Sequence, residues 1–300
     1  MSNIPYVVTD DLVNVFANSE GALSAVPVEA IEAASRQVTS GLQKIFPNVD
    51  RIEGGQIEAY LQDCVKNSAI PVLSLAEFLD AEDGAYPLLL SRSLITDANG
   101  DVTAALMPRW QDAGSLEVQF NNAAQLGPEV ALADDVVFTG GSMLKIIESL
   151  EQLGTKVPVI YASVALEEAV AKLAERGTTV YADYIYPAVL DEICMRDFIV
   201  GAPGGGRNVI AADGSYATAP YLFPYGDIEN WASIPPEFAA SQSKACLEAA
   251  AQLWGAAPAK ITFNALKKPV VLSNPQAEIA ATMENLLKTG AYNGRAASPL

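Results

Sequence analysis

The chain has 300 residues, half of them hydrophobic, so it can bury a sizeable core as one large domain or two small ones. Its 36 acidic residues against 18 basic ones give a formal charge of −18, which disfavours binding to nucleic acids and to anionic lipids. The sequence contains no histidine, which excludes most triad hydrolases and removes the usual zinc ligand.

Neither a disulfide framework nor a membrane segment is predicted. The three cysteines, Cys64, Cys194 and Cys246, are far apart and fit reduced side chains in apolar surroundings. No stretch reaches the roughly 18 apolar residues of a membrane span, and the first residues lack the pattern of a secretory signal. We therefore expect a cytoplasmic protein without membrane or nucleic-acid partners.

Helices and strands are predicted to alternate along the first third of the chain. Pro27 suits the first turn of a helix that continues to about residue 46. Residues 49–53, a Gly54-Gly55 turn, a helix and a second strand form a predicted βαβ unit. Further along, Asn99-Gly100 is a strong signal for a hairpin turn.

The stretch from 130 to 153 combines a buried strand, a short loop and an amphipathic helix. The loop carries Asp134 and Asp135, followed by Thr-Gly-Gly-Ser at 139–142, where the helix begins. Unpaired N–H groups and the dipole of a helix N-terminus favour a phosphate. The carboxylates would instead accept hydrogen bonds from sugar hydroxyls or help to hold Mg²⁺, so a sugar phosphate fits the whole loop. The alternative is an ordinary strand-to-helix turn with a capped helix.

The segment Asp134-Asp-Val-Val-Phe-Thr-Gly-Gly-Ser142 resembles the phosphoribosyl pyrophosphate (PRPP) motif of the type I phosphoribosyltransferases. The resemblance implies that Asp134 and Asp135 contact the ribose hydroxyls and hold Mg²⁺, directly or indirectly. It also implies that the rest of the segment binds PRPP and its 5′-phosphate, through Val136, Val137, Phe138, Thr139, Gly140, Gly141 and Ser142.

The same resemblance assigns residues to the pyrophosphate. A pyrophosphate loop after an early strand would contain Gly54 and Gly55, whose alternative is a plain helix-start turn. A basic hairpin before the motif would make Arg92 and Arg109 a clamp, and these two arginines join Asp134 and Asp135 as predicted catalytic residues. If the pyrophosphate loop is instead 91–93, Arg92 keeps its role. The alternative is that both arginines are solvated strand residues.

A later loop adds polar candidates. Arg196 and Asp197 precede a glycine run that ends in Arg207, and these three residues suit a loop beside the base or the pyrophosphate. The alternative is a structural ion pair and a flexible turn. Beyond it, Phe223, Tyr225 and Trp231 could stack on a base or belong to the core.

Strands and helices alternate over roughly 49–190, which predicts an α/β fold with a mostly parallel central sheet flanked by helices. The resemblance makes this a Rossmann-like, three-layer phosphoribosyltransferase fold. We expect a single domain over 1–300, with a core at about 28–210 and a C-terminal hood at about 211–300. The motif would lie beyond the carboxyl ends of the strands, where ligands bind in such sheets.

The resemblance implies a phosphoribosyltransferase that moves the 5-phosphoribosyl group from PRPP to a nitrogenous base, with Mg²⁺ as cofactor and release of pyrophosphate. The alternative is a regulatory protein of the same fold that binds PRPP or a nucleotide without turning it over. PRPP and a small base are the expected partners. The sequence leaves the oligomeric state open, and a homodimer is the form that proteins of similar type usually take.

Overall fold

The computed structural model describes residues 4–294. Within this range the strands are β1 (Tyr6–Asp10), β2 (Val49–Glu53), β3 (Val72–Ser74), β4 (Ala85–Pro87), β5 (Leu90–Thr96), β6 (Val102–Pro108), β7 (Glu129–Val137), β8 (Lys156–Leu166), β9 (Thr179–Tyr186), β10 (Asp191–Cys194), β11 (Arg207–Ile210) and β12 (Tyr216–Ala219). The helices are α1 (Leu12–Ala17), α2 (Val28–Ile45), α3 (Gly54–Asn67), α4 (Leu116–Ala124), α5 (Gly141–Gln152), α6 (Glu167–Ala174), α7 (Ile228–Trp231), α8 (Pro236–Gly255) and α9 (Ile279–Thr289). None of these helices is long and apolar enough to cross a membrane.

The strands form three sheets. Five parallel strands lie in the order β4-β3-β7-β8-β9, and three parallel strands in the order β10-β1-β2. The third sheet has the order β12-β11-β5-β6 and is mixed, since β11 pairs parallel with β5 and antiparallel with β12. The predicted α/β fold, with mostly parallel sheets flanked by helices, is therefore confirmed.

The chain divides into two compact units. The first contains the residues up to Gly54, Ser93–Ala105 and the chain from Leu190 onward. The second contains Gly55–Arg92 and Leu106–Val189.

The first unit is built around β1, whose five residues are all buried. Helices α2 and α8 contribute much of its core, with buried Val38 and Leu42 on α2 and Leu247 and Leu253 on α8. Helix α8 begins with Pro236, which suits the first turn because its missing N–H would be unpaired there anyway. This unit contains most of the predicted C-terminal hood, whose last six residues lie outside the described range.

The second unit is built around β7 and β8. Residues 130–133 of β7 are buried on both faces, as expected for a central parallel strand. Helix α5 packs on this sheet through Met143, Ile146, Ile147 and Leu150, whose spacing of three and four residues forms one apolar stripe. The packing fixes the N-terminus of α5 close to the end of β7, from which only residues 138–140 separate it.

One predicted unit is wrong in its pairing. The strand at 49–53 and the next strand were expected to share a sheet, but β2 pairs with β1, whereas β3 pairs with β4 and β7. An alternating pattern identifies a strand without identifying its partner, which is decided by long-range contacts. The predicted hairpin is confirmed: β5 and β6 are neighbours in one sheet, and Gly100 in their connection has φ 87°.

Candidate functional site

The predicted phosphate loop is shorter than expected, because β7 continues through Val137. Asp134 and Val136 pair with Ala162 and Val164 of β8, so both aspartates lie within the strand instead of the loop. Each carboxylate also accepts a hydrogen bond from the next backbone N–H, at 3.0 Å from Asp135 N to Asp134 Oδ1 and from Val136 N to Asp135 Oδ1. The two carboxyl groups are thereby held at the carboxyl end of the central strand.

Residues 138–140 make the turn into α5. Gly140 caps the helix with φ 70°, a left-handed conformation that favours glycine, and Leu144 N donates to Gly140 O at 3.0 Å. The side chains of Thr139 and Ser142 are exposed. The first N–H groups of an α-helix have no partner within the helix, so the start of α5 presents donors beside two exposed hydroxyls. This set of donors suits an anion such as a phosphate.

The surroundings of Asp134 disfavour the charged form of its carboxyl group. Burial raises its pKa well above the ordinary value, and the charge of the neighbouring Asp135 raises it further. Arg109 opposes this by lowering the pKa of Asp134. Its Nη2 donates to the carbonyl oxygen of Leu75, whose N–H in turn donates to Ala133 O, next to Asp134. The structure therefore brings three of the four predicted catalytic residues, Asp134, Asp135 and Arg109, to one edge of the five-stranded sheet.

Arg109 is not a free clamp. Its Nη1 forms an ion pair with Glu77 Oε1 at 2.9 Å, and its Nη2 donates to the carbonyl oxygen of Leu75 at 2.6 Å. Only 13% of its side-chain surface is exposed. Arg92, in contrast, is exposed on β5, so the predicted clamp role stays a prediction for Arg92.

The glycines predicted to line the pyrophosphate differ from each other. A Cβ on Gly54 would lie 2.6 Å from Asp11 Cα and 2.7 Å from Asp10 O, so Gly54 is required by close packing in the first unit. A Cβ on Gly55 would meet nothing within 4 Å. The alternative of a helix-start turn describes both positions, since α3 begins at Gly54.

The polar residues of the later loop are engaged with the first unit. Arg196 forms an ion pair with Asp11, and Asp197 Oδ1 accepts a hydrogen bond from Gly206 N at 2.8 Å. These contacts agree with the structural alternative for this loop. Their predicted role beside the base or the pyrophosphate stays a prediction.

Arg207 is enclosed by aromatic rings. Its Cζ lies 5.2 Å from the ring centroid of Tyr221 and 5.1 Å from that of Trp231, and its Nη2 donates to the Tyr221 hydroxyl at 2.9 Å. Phe223 and Tyr225 are buried in the core of the first unit. The core alternative therefore describes the contacts of these aromatic residues.

Sequence reasoning missed Glu77, the partner of Arg109 in the loop after β3. A lone glutamate next to a hydrophobic strand carries no sequence signal of its own. The exposed Glu167 and Glu168, at the start of α6 directly after β8, were missed as well. Parallel strands end at the same edge of a sheet, so these carboxylates make the surroundings of Asp134 and Asp135 acidic.

A divalent cation would find two carboxylates at this edge. Within residues 4–294, no group of three or more His, Cys, Asp or Glu side chains could hold a metal. Mg²⁺ commonly binds through one or two carboxylates together with substrate phosphates and waters, so Asp134 and Asp135 fit a cation that arrives with a phosphorylated substrate.

The substitution Asp134→Asn should stabilise the protein at neutral pH. The raised pKa means that the folded protein binds this proton more tightly than the unfolded chain, so stability falls as the pH rises above the unfolded pKa of about 3.9. Asparagine cannot ionise, so the Asp134→Asn variant does not lose this stability as the pH rises. Thermal denaturation from pH 4 to 7.5 should show a higher Tm for Asp134→Asn than for wild type at pH 7.5. The difference between the two Tm values should become smaller towards pH 4. A Tm difference that does not change with pH would contradict a raised pKa for Asp134.

Comparisons with known proteins give structural neighbours only. No protein-family model matches the chain, and the comparison with curated proteins finds no match. Similar solved structures include an orotate phosphoribosyltransferase from Aeropyrum pernix, with 18% identity and a TM-score of 0.27 over 44% of this chain and 69% of that chain. An adenine phosphoribosyltransferase from Thermoanaerobacter pseudethanolicus shows 15% identity and a TM-score of 0.29 over 44% of this chain and 79% of that chain. These names belong to the enzyme class that the segment Asp134–Ser142 resembles.

Proposed function

We propose that the protein binds PRPP at residues 134–142 and transfers its 5-phosphoribosyl group to a nitrogenous base. In this reaction the bond from ribose C1 to the diphosphate oxygen breaks, and the diphosphate leaves with the electron pair. A bond forms from C1 to a nitrogen of the base, which loses its proton to solvent. The observation that carries the proposal is the pair of carboxylates at the end of β7 followed by the glycine-rich start of α5, where Thr139 and Ser142 are exposed.

Each part of PRPP is bound by a different group of residues. The N–H groups at the start of α5, with the hydroxyls of Thr139 and Ser142, bind the 5′-phosphate. Asp134 and Asp135 accept hydrogen bonds from the ribose hydroxyls and hold the ring while positive charge develops on it. An exposed Arg92 on the hairpin is the residue suited to pair with the departing diphosphate.

Mg²⁺, when bound with PRPP through Asp134 and Asp135, would neutralise negative charge on the diphosphate. This matters because the edge of the sheet is acidic and the whole chain carries a formal charge of −18. We expect PRPP binding to require the divalent cation for that reason. A cytoplasmic location and a homodimer stay predictions.

A second function, binding PRPP or a nucleotide for regulation without turnover, has one observation in its favour. The loop after β3 brings Glu77, and the nearby Arg109 is already paired with that glutamate. A diphosphate therefore meets fewer uncommitted positive charges than a transferase would be expected to offer.

Calorimetry and a pyrophosphate assay separate the two functions. The protein is titrated with PRPP and Mg²⁺, and then incubated with PRPP, Mg²⁺ and a panel of purine and pyrimidine bases. Binding with base-dependent pyrophosphate release supports the transferase. Binding without release supports the regulatory protein, and no binding removes both.

The hydroxyl of Ser142 should contribute to phosphate binding. Ser142→Ala removes one donor at the start of α5, and we expect it to weaken ribose 5-phosphate binding about fivefold, the equivalent of one hydrogen bond of about 1 kcal/mol. Ser149→Ala is the matched control, because Ser149 lies on the same helix and donates to Lys145 O at 2.8 Å. Equal affinities of Ser142→Ala and wild type, measured by calorimetry, would contradict a phosphate at this position.

A further inference from the structure

Arg109 connects three segments of the second unit. Its Nε and Nη2 donate to Leu90 O, at the start of β5, at 3.1 and 3.0 Å. The same Nη2 reaches Leu75 O at 2.6 Å, and Nη1 pairs with Glu77. The backbone N–H of Arg109 donates to Leu89 O at 2.8 Å. One side chain thus joins the base of the β5–β6 hairpin to the loop that follows β3.

That loop is in turn joined to the motif strand. Leu75 N donates to the carbonyl oxygen of Ala133 at 2.8 Å, and Ala133 directly precedes Asp134. Leu75 is therefore bonded on both sides, to the motif strand through its N–H and to Arg109 through its carbonyl. With 13% and 25% of their side chains exposed, Arg109 and Glu77 form a more protected pair than a surface ion pair.

We propose that Arg109 is a positioning residue that holds the base of the hairpin against the motif strand and so places Arg92 for the diphosphate of PRPP. The idea rests on the proposed binding of PRPP at 134–142. In this role Arg109 does not touch the substrate, which replaces its predicted role as a clamp. Arg92 lies two residues beyond Leu90, the residue that Arg109 holds through two hydrogen bonds.

The test is a double-mutant cycle with two ligands. Arg109→Lys keeps the charge but cannot bind the carbonyl oxygens of Leu75 and Leu90 and the carboxylate of Glu77 at the same time, because an ammonium lacks the planar fork of a guanidinium. We expect it to weaken PRPP binding about tenfold and ribose 5-phosphate binding, which involves no diphosphate, by less than about twofold. In an Arg92→Ala background, Arg109→Lys should have almost no further effect on PRPP, since the two residues would act through one contact.

Arg176→Lys is the matched control, because Arg176 is an exposed arginine of the same unit that pairs with Glu151 at 2.8 Å. Hydrogen exchange should be faster in peptides covering 88–92 and 106–110 of Arg109→Lys and unchanged in the control. If Arg109→Lys does not fold, Glu77→Gln carries the same comparison.

Two results would overturn the inference while leaving PRPP binding intact. One is a PRPP affinity of Arg109→Lys equal to that of wild type. The other is a loss of affinity in Arg109→Lys that is equal for PRPP and ribose 5-phosphate and that adds fully to the loss of affinity caused by Arg92→Ala. A wild-type protein that binds neither ligand would instead overturn the proposed function, and the inference with it.

Discussion

Replacing Asp134 and Asp135 together with asparagine should abolish PRPP binding while the protein stays folded. Both side chains keep their shape, but each loses the negative charge that would accept hydrogen bonds from ribose hydroxyls and attract Mg²⁺. Two charged hydrogen bonds of roughly 1.5–3 kcal/mol each correspond to a loss of at least about a hundredfold in affinity. Calorimetric titration with PRPP and Mg²⁺ measures it.

The fold is expected to survive because ionised Asp134 destabilises it. Burial and the charge of Asp135 raise the pKa of Asp134, so an uncharged side chain removes an unfavourable charge at neutral pH. A loss of binding in this variant cannot then be attributed to unfolding, provided that the Tm is equal to or higher than that of wild type.

The matched control is Glu167→Gln with Glu168→Gln. These exposed glutamates start α6 directly after β8, so the control removes the same charge from the same edge of the sheet. It should bind PRPP within about twofold of wild type, as expected when only screened surface charge is altered. Unchanged affinity of the aspartate variant, or an equal loss in both variants, would show that the carboxylates of β7 do not hold the ribose.

The sequence predicts the strand–turn–helix of the site well because its elements are local. The apolar spacing predicts a helix that begins at 139–142 and ends near residue 153, and α5 spans Gly141–Gln152. The end of β7 was not predictable in the same way. Asp134 and Asp135 have low strand propensity, and their extended backbone depends on pairing with β8, more than 25 residues further along.

Roles that depend on tertiary contacts were also out of reach. The sequence identifies Arg109 as a positive charge. Its neighbours along the chain do not indicate that its guanidinium donates hydrogen bonds to the carbonyl oxygens of Leu75 and Leu90. Arg207 reads as the end of a flexible glycine run, yet Tyr221 and Trp231 enclose it. In both cases the residue type identifies a charge, whereas its availability to a ligand is decided by groups that the fold brings to it.

Gly54→Ala should destabilise the protein by at least about 2 kcal/mol, the scale of overpacking a filled site. The added Cβ would lie 2.6 Å from Asp11 Cα and 2.7 Å from both Asp10 O and Asn14 Oδ1. Two of these atoms belong to the backbone around the end of β1, so they can move away only by disturbing the strand and the start of α1. Chemical denaturation should show a lower midpoint.

Gly55→Ala separates this packing effect from any role in binding the pyrophosphate. A Cβ there meets nothing within 4 Å, and the position lies at the start of α3, so alanine should stabilise the protein by up to about 1 kcal/mol. If Gly55 also approaches a diphosphate, Gly55→Ala will weaken PRPP binding more than ribose 5-phosphate binding despite its higher stability. Equal effects on the two ligands would remove Gly55 from the pyrophosphate site, and a Gly54→Ala protein as stable as wild type would contradict the packing that distinguishes the two glycines.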